Sequence, residues 1–463
     1  MNVTSPIDCP SWAKLAHHAE SWRDVQLKDL FKQDVARSMQ FVAEAPGLRY
    51  DYSRQRLGAM TLRLLANLTL ERGLPEWREA LLAGKPVNTS EKRAAWHTAL
   101  RAGTGSPPEV LRTLEKMKAL VSTIRTEGKY KRIVNLGTGG SDLGPRLLAD
   151  AAADGKLDVR FAANVDPRDL ERALEGAEPA STLFVVVSKT FTTQETMANA
   201  AAAKRWGGKA FYAVTSNVDA ARAFGATEVL PMWDWVGGRF SVWSAVGFAA
   251  ACSMGFERFA QFLAGGREID EHFANATLEK NVPALMALAG VWNTNFLGSP
   301  THAVLPYSNA LRLLPSYLQQ LEMESNGKRV DRAGNVVSYA TCPVVWGAEG
   351  TPSQHSFHQL LHQGTQSVPC DFVDISSNEI LSANARAQAD ALAFGSQGGD
   401  YPGNRPSSTL YLEKFDAASL GRLLALYEHK VFVQGIIWNL NSFDQPGVEL
   451  GKTMANQILS GGK

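Results

Sequence analysis

Residues 182–196 read TLFVVVSKTFTTQET. The apolar first part has the composition of a strand that is buried on both faces, and hydroxyl-bearing residues separate it from a helical pattern that begins near Gln194. The same order occurs at 132–144, where RIVNL precedes GTGGSDLG, and at 209–217, where KAFYAV precedes TSN. Strands that alternate with helices at this spacing predict right-handed βαβ units and a parallel sheet covered by helices on both faces.

The remaining segments predict a second α/β unit and flanking helices. Apolar residues follow helical spacing at Trp12–Arg37 and Arg56–Arg78, so we interpret the first hundred residues as helical. Long helical patterns return around Arg267–Gln320 and from Ala417, and we expect the boundary between the two units near Gly265. Further strands are predicted at Ala303–Tyr307, Cys342–Trp346 and Val368–Val373.

The composition is that of an ordinary soluble globular protein, with 45% hydrophobic and 20% charged residues. The net charge of +1 gives no electrostatic argument for nucleic acid or an anionic membrane as a partner. No signal-peptide pattern or membrane-spanning stretch is visible, so we expect a cytoplasmic protein. We also expect free thiols, because no C-x-x-C pair occurs among Cys9, Cys252, Cys342 and Cys370.

The loop Ser188–Thr193 has the chemistry of an anion site. It carries four hydroxyls and one ammonium group at the expected start of a helix, and no acidic residue precedes Glu195. Free backbone N–H groups and the positive end of the helix dipole favour phosphate at such a position. The sequence therefore predicts a phosphate site, with ordinary helix capping by serine and threonine as the alternative.

Two other glycine-containing loops do not fit nucleotide motifs. The loop that begins at Gly137 lacks the dinucleotide fingerprint, because Asp142 stands where the third glycine belongs. The segment Gly447–Thr453 has three residues between its glycines, whereas an ATP-binding loop has four. Neither loop indicates a nucleotide cofactor.

Candidate proton-transfer groups lie in the second half of the chain. Leu311–Glu324 has a helical pattern that Asn326-Gly327 would end, so Glu324 falls in the last turn, where a carboxylate is electrostatically unwelcome. A partly buried carboxylate there would suit a general base, and an exposed surface glutamate is the alternative. Arg239 follows two glycines that would let its guanidinium enter a cleft, with a surface salt bridge as the alternative.

The segment Thr351–His355 resembles a helix start with a capping box between Thr351 and Gln354. His355 would then lie in the first turn, where the dipole favours a neutral imidazole able to transfer a proton. His355, His358 and His362 would share one helix face, but no carboxylate is spaced with them as in zinc enzymes. We therefore expect no metal site.

Taken in chain order, these segments resemble the phosphoglucose isomerase family in its compact bacterial form. The matching motifs extend from about residue 88 to 452 and read NTSEKRAAWHTALR at 88–101, NLGTGGSDLGP at 135–145, SKTFTTQET at 188–196, DWVGGRFSVWS at 234–244, QQLEMESNGK at 319–328, QHSFHQLLHQGT at 354–365 and GIIWNLNSFDQPGVELGK at 435–452. The departures are Thr138 for a usual isoleucine, Pro352-Ser353 for Asn-Gly, and Pro446 for a tryptophan.

This resemblance implies an α/β protein with two sugar-isomerase-type (SIS) three-layer domains, whose parallel sheets are flanked by helices. It implies an N-terminal helical region at 1–105 that packs with the larger domain. The smaller domain, with the phosphate loop, would cover 106–264, and the larger domain, with the catalytic glutamate and the C-terminal helices, 265–463. The implied activity is the reversible isomerisation of glucose 6-phosphate and fructose 6-phosphate in glycolysis and gluconeogenesis, without cofactor or metal, in a homodimer.

The resemblance also implies a role for individual residues in a reaction that proceeds by ring opening and a cis-enediolate. Glu324 would carry a proton between C1 and C2, and Arg239 would stabilise the enediolate. His355 from the neighbouring subunit and Lys452 would open the sugar ring. The residues that would hold the phosphate are Ser141, Ser188, Lys189, Thr190 and Thr193. The residues that would bind the sugar are Gly140, Gln320, Gly350 and Gln445.

Other functions of the same domain type remain as alternatives. A non-catalytic sugar-phosphate sensor would keep the phosphate loop but would not need Glu324, His355 and Lys452 together. A phosphosugar isomerase that also accepts mannose 6-phosphate would differ in contacts at C2 of the sugar. An amidotransferase would need an N-terminal nucleophilic cysteine, and Cys9 is not at the start of the chain.

Overall fold

Two β-sheets and the helices around them make up the protein. The structure, a computed structural model, describes residues 4–375, 378–396, 398–459 and 461, without the side chains of Glu449 and Asn456. The strands are β1 (Val42–Ala45), β2 (Leu48–Asp51), β3 (Arg132–Leu136), β4 (Asp158–Ala162), β5 (Thr182–Val187), β6 (Ala210–Thr215), β7 (Glu228–Pro231), β8 (Thr301–Tyr307), β9 (Val344–Gly347), β10 (Cys370–Ile375) and β11 (Ser407–Leu412).

The α-helices are α1 (Pro10–Glu20), α2 (Leu27–Gln33), α3 (Arg37–Gln40), α4 (Ala59–Glu71), α5 (Leu74–Leu82), α6 (Pro108–Glu127), α7 (Leu143–Ala152), α8 (Pro167–Leu174), α9 (Gln194–Arg205), α10 (Val218–Phe224), α11 (Phe248–Met254), α12 (Phe256–Asn275), α13 (Val282–Val291), α14 (Leu314–Leu318), α15 (His358–Gln363), α16 (Glu379–Phe394), α17 (Ala417–Ile437) and α18 (Glu449–Leu459). Two π-helical segments, Trp292–Phe296 and Gln319–Glu324, continue α13 and α14. In the part of the chain that is described, no helix combines the length and the hydropathy that a bilayer crossing requires.

The first sheet confirms the predicted βαβ units. Its strand order is β4-β3-β5-β6-β7, and all neighbouring strands are parallel. The apolar strands β3 and β5 lie side by side, with Leu136 opposite Val186, and every residue of β5 is buried. The loops that follow β3, β5 and β6 therefore leave the sheet at the same edge, which is where open parallel sheets bind ligands.

The second sheet shows that the first hundred residues are not entirely helical. Its order is β1-β2-β11-β10-β8-β9, in which β8 to β11 are parallel and β2 pairs antiparallel with β11. The hairpin of β1 and β2 turns at Pro46-Gly47, where Gly47 has a φ of +65°. Strands of four residues are too short for a period to appear in the sequence, which is why the helical interpretation was wrong here.

Helices α12 and α17 pack backbone against backbone in the core. A Cβ on Gly265 would lie 2.0 Å from the carbonyl oxygen of Ala418, and a Cβ on Gly421 would lie 2.0 Å from that of Phe262. The expected boundary between the two α/β units, near Gly265, falls inside α12. The division of the chain into domains at 1–105, 106–264 and 265–463 stays a prediction.

The four cysteines are free, as predicted.

The contact between α12 and α17 generates a stability prediction. Gly265→Ala places a methyl group in the space of the Ala418 carbonyl, so overpacking should outweigh the better helix propensity of alanine and cost about 1–3 kcal/mol. We expect thermal unfolding followed by circular dichroism to show a melting temperature lower by several degrees. Gly105→Ala is the control, because its Cβ would meet only Ala102 Cβ at 3.8 Å. Equal melting temperatures for both variants would contradict the tight crossing.

Candidate active site

The glycine loop after β3 folds back on itself at the carboxyl edge of the first sheet. Residues Gly139–Ser141 form a 3₁₀ turn, and the carbonyl of Ser141 accepts a hydrogen bond of 3.0 Å from Asn135 Nδ2. A Cβ on Gly137 would lie only 2.8 Å from that same carbonyl oxygen. The absence of side chains thus permits a tight loop that holds the Ser141 backbone close to the end of β3.

The loop after β5 is held by contacts of Lys189 and Phe191, and two of its hydroxyl groups lie close together. The carbonyl of Lys189 accepts hydrogen bonds from the backbone N–H and the hydroxyl of Ser216, and the ring of Phe191 packs edge-on against Phe224. Ser188 Oγ lies 2.9 Å from Thr193 Oγ1. Although Thr193 is the residue before α9, its side chain makes no capping hydrogen bond. Ordinary capping is therefore not the role of this threonine.

Cationic groups lie beside this hydroxyl cluster. Lys189 Nζ is 3.2 Å from Asp234 Oδ1, and Arg93 approaches the same carboxylate at 3.8 Å. Burial lowers the pKa of Lys189, and the positive charge of Arg93 lowers it further. The combination of hydroxyls, a helix start and nearby cations suits a phosphate group.

Arg239 occupies the centre of the site. It follows β7 in a 3₁₀ turn at Gly238–Phe240, and it is only 2% exposed. Its Nη1 donates to Glu324 Oε2 at 3.2 Å and to Gln445 Oε1 at 2.9 Å. The other nitrogens donate to the Ser325 hydroxyl and to the carbonyls of Ser442 and Asp444. Burial lowers the pKa of Arg239, while the carboxylate of Glu324 acts in the opposite direction.

The glycine loop packs directly on the turn that carries Arg239. A Cβ on Gly140 would lie 2.1 Å from the carbonyl oxygen of Gly238 and 2.7 Å from the backbone nitrogen of Arg239. A Cβ on the neighbouring Gly139 would lie 3.0 Å from Gln320 Nε2. The loop after β3 therefore contacts both the arginine turn and the helix that carries Glu324.

A cavity of about 1080 Å³ opens beside these groups. Its walls include Gln320, Glu324, Lys328, Gln445 and Pro446. Glu324 stands at the end of the π-helical continuation of α14, as the sequence predicted for a last turn, and its side chain is 23% exposed. The cavity thus brings a carboxylate, an arginine-bound amide and the helix amide of Gln320 to one space.

His355 lies outside this cavity, in the predicted first helical turn after Thr351 but without the predicted capping box. Residues Pro352–His355 form a 3₁₀ turn in which the Thr351 side chain makes no capping bond, and the Gln354 side chain amide donates to Tyr307 Oη and Asn384 Oδ1. The next helix, α15, begins only at His358, so the three histidines do not share one helix face. His355 is exposed, and it is not among the residues that line the cavity.

The histidines of α15 have an amide as their shared partner. His358 Nδ1 lies 3.2 Å and His362 Nε2 2.9 Å from Gln388 Oε1. In the described ranges, no three side chains of histidine, cysteine, aspartate or glutamate are grouped closely enough to hold a metal ion.

Two further predicted residues, Gly350 and Lys452, are not among the residues that line the cavity. Gly350 packs on the ring of Tyr307, to which a Cβ would come within 2.5 Å. Lys452 is exposed on α18, the helix that directly follows the cavity-lining turn Pro446–Val448. The structure therefore brings together Glu324, Arg239, Gln320, Gln445 and the loop after β3, but it does not bring His355 to them within one chain.

The sequence predicted no role for Ser325, Lys328 or Asp444, which the structure places in or next to the hydrogen-bond network of Arg239. Ser325 Oγ accepts from Arg239 Nε at 2.6 Å, and Lys328 pairs with Asp444 at 2.6 Å. The signal in the sequence was the position of Ser325 and Lys328 within the QQLEMESNGK motif and of Asp444 within the motif at 435–452.

Comparisons with known proteins point to one family. A sequence model of the family described as phosphoglucose isomerase matches residues 51–462. The chain is 43% identical to glucose-6-phosphate isomerase of Dechloromonas aromatica, over 98% of this chain and 95% of that protein. It is 45% identical to the enzyme of the same name from Deinococcus deserti, over 98% and 94%. Its structure resembles the crystal structure of a glucose-6-phosphate isomerase from Chlamydia trachomatis, with a TM-score of 0.92, 35% identity, and coverage of 99% of this chain and 96% of that chain.

The hydroxyl cluster after β5 generates a binding prediction. Thr193→Val removes one hydroxyl with little change in shape, so the affinity for inorganic phosphate should fall about fivefold, as expected for one lost hydrogen bond. Isothermal titration calorimetry measures the change. Thr126→Val, at the exposed end of α6, is the matched control and should bind phosphate like the unaltered protein. Unchanged affinity in Thr193→Val would remove this hydroxyl from the phosphate site.

Proposed function

The chain belongs to the phosphoglucose isomerase family and interconverts glucose 6-phosphate and fructose 6-phosphate, and we propose that Glu324 and Arg239 perform the proton transfer of this reaction. The relatives are named as glucose-6-phosphate isomerases, so a non-catalytic sensor, an amidotransferase or a phosphosugar isomerase that also accepts mannose 6-phosphate is not favoured. We further propose that the enzyme is a cytoplasmic homodimer.

In the proposed step, the Glu324 carboxylate removes the proton from C2 of the open-chain aldose. The electron pair of the broken C–H bond forms the C1–C2 double bond, and negative charge develops on the oxygen of the enediolate. A proton then passes from the hydroxyl oxygen at C2 to the oxygen at C1, and Glu324 returns its proton to C1, so that C2 becomes the carbonyl carbon of the ketose. The reverse reaction exchanges the roles of the two carbons. The observation that carries this proposal is the cavity position of Glu324 with the guanidinium of Arg239 at 3.2 Å.

Arg239 would stabilise the enediolate through Nη1. This is the guanidinium nitrogen whose two partners, Glu324 and Gln445, line the cavity. Nε and Nη2 are bound to Ser325 and to backbone carbonyls, so they would hold the group in place while Nη1 meets the charge. A donor that is fixed before the charge develops needs no reorganisation during the reaction.

The loops after β3 and β5 would anchor the substrate's phosphate. We propose that the phosphate binds Ser141, Ser188, Lys189, Thr190 and Thr193, and that Gly140, Gln320, Gly350 and Gln445 contact or shape the sugar. The packing of Gly140 on Gly238 supports this arrangement, because it fixes the distance between the phosphate loops and Arg239. Anchoring a non-reacting group in this way orients the reacting carbons against the base.

We propose that His355 serves the cavity of the neighbouring subunit, where it opens the sugar ring together with Lys452. The exposed position of His355 outside its own chain's cavity supports this role. Lys452 follows the wall residue Val448 by about one turn of helix, so it belongs to the same rim.

Removal of the base is the test of the proposed mechanism. Glu324→Gln should lower kcat by about 10²–10⁴-fold, because the amide cannot accept the proton. The coupled dehydrogenase assay with chelator-treated enzyme measures turnover, and incorporation of deuterium from the solvent into the sugar measures proton transfer directly. Calorimetry should show that the variant still binds fructose 6-phosphate. Glu279→Gln, an exposed carboxylate between α12 and α13, is the control, and full kcat in Glu324→Gln would refute the role of Glu324.

A heterodimer tests whether His355 acts across subunits. Glu324→Gln and His355→Gln chains with different tags are co-expressed, and the mixed dimer is purified. If His355 serves the partner, one of the two sites has both native residues, and the mixed dimer should show about half of the unaltered kcat. Each homodimeric variant should be far less active. A mixed dimer no more active than the variants would place His355 in the site of its own chain.

A further inference from the structure

Lys328 is a buried cation that the proposed mechanism does not use. It follows Glu324 by four residues, and its side chain is 13% exposed. Its ammonium group donates to the carbonyl of Asn441, to the carbonyl of Asp444 at 2.8 Å and to Asp444 Oδ1 at 2.6 Å. All three donors of a lysine are thereby used on one segment, residues 441–445, which we call the Gln445 loop.

The Gln445 loop also supplies most of the partners of Arg239. Its carbonyls at Ser442 and Asp444 and its Gln445 amide oxygen accept three of the hydrogen bonds of the guanidinium. The carbonyl of Asp444 is shared, since Lys328 Nζ lies 2.8 Å and Arg239 Nη2 3.1 Å from it. The position of this loop therefore determines where the Arg239 guanidinium and the Gln445 amide stand.

A second segment holds the other side of the same loop. Asn441 Nδ2 lies 2.8 Å from Asp444 Oδ2 and 2.8 Å from Asn88 Oδ1, and Ser90 Oγ also donates to Asp444 Oδ2. Burial opposes ionisation of Asp444, but the hydrogen bonds from Lys328 and Ser90 outweigh it and lower the pKa of this carboxyl group. Lys328 connects the loop to the segment that carries the base, where Asn326 Oδ1 also accepts a hydrogen bond of 2.7 Å from Ser442 Oγ.

We propose that Lys328 is a positioning residue for the isomerisation: it clamps the Gln445 loop and thereby holds Arg239 and Gln445 in register with Glu324. The proposal rests on the proposed function of Glu324 and Arg239. Because its donors are already occupied, Lys328 acts through the loop and not on the substrate. A displacement of catalytic groups by about 1 Å is enough to cost roughly 100-fold in rate.

The clamp has an expected pH dependence. Burial lowers the pKa of Lys328 to about 8, and Arg239 lowers it as well, while Asp444 and Glu324 raise it. The ammonium form with three donors therefore prevails below about pH 8, and the neutral amine above it. Loss of a donor and of the charge loosens the loop, so kcat should fall as the pH rises through this range.

Two substitutions at position 328 test the clamp in the full-length enzyme. Lys328→Met keeps the length of the side chain but removes the donors, and it should lower kcat about 10- to 100-fold while KM changes less than about threefold. Lys328→Arg keeps the charge and the donors, so it should recover most of the activity and shift the alkaline decline of kcat to higher pH. Lys414→Met is the control, because Lys414 forms an exposed pair with Asp416.

The outcomes separate this proposal from its alternatives. An unchanged kcat and an unchanged alkaline decline in Lys328→Met would overturn it, and so would a rise in KM alone, which would make Lys328 a substrate ligand. If Lys328→Met does not fold, Asp444→Asn, which weakens the same clamp, should lower kcat and leave KM nearly unchanged. A normal Lys328→Met beside an inactive Glu324→Gln would reject the clamp only, whereas an active Glu324→Gln would reject the proposed function itself.

Discussion

The active site depends on the burial of one guanidinium group. Arg239 is 2% exposed, and a buried arginine must find acceptors for all of its N–H donors or destabilise the fold by several kcal/mol. It finds them on Glu324 and Ser325 at the end of the helix after β8, and on the segment 442–445 after α17. The turn that follows the first sheet is thereby tied to two segments of the second half of the chain.

The glycine loop after β3 links the turn that carries Arg239 to the loops that we propose bind phosphate. Gly140 has no room for a side chain between itself and Gly238, and Gly139 has little beside Gln320. Because β3 and β5 are adjacent and parallel, the same loop lies next to the hydroxyl cluster of Ser188 and Thr193. If these groups have the proposed roles, the phosphate anchor and the proton-transfer groups are held relative to each other before substrate arrives, and this arrangement converts binding energy into orientation.

The sequence predicted the elements that are determined by neighbouring residues. It missed the contacts that are made between residues far apart in the chain. The strands at 132–136 and 182–187 were predicted with their observed bounds, because a strand buried in a parallel sheet is a continuous apolar run between clear turn signals. The capping box predicted before His355 is absent. The Gln354 side chain amide donates to Tyr307 and Asn384, which lie 47 and 30 residues away in sequence. Lys328 received no role because its partners are carbonyls and a carboxylate more than 100 residues away.

Pro446, which stands where the family usually has a tryptophan, directly follows the Gln445 loop that Lys328 contacts. Proline restricts the residue before it to extended conformations, so Gln445 has less backbone freedom than it would have before the tryptophan usual in the family. Its side chain amide oxygen accepts a hydrogen bond of 2.9 Å from Arg239 Nη1, so the restricted conformation is compatible with the contact to the guanidinium. Pro446 itself lines the cavity, where it presents less surface than an indole ring. In this chain, the restricted backbone before Pro446 and the proposed clamp at Lys328 thus act on the same loop, and together they would hold the Gln445 amide in place before the sugar binds.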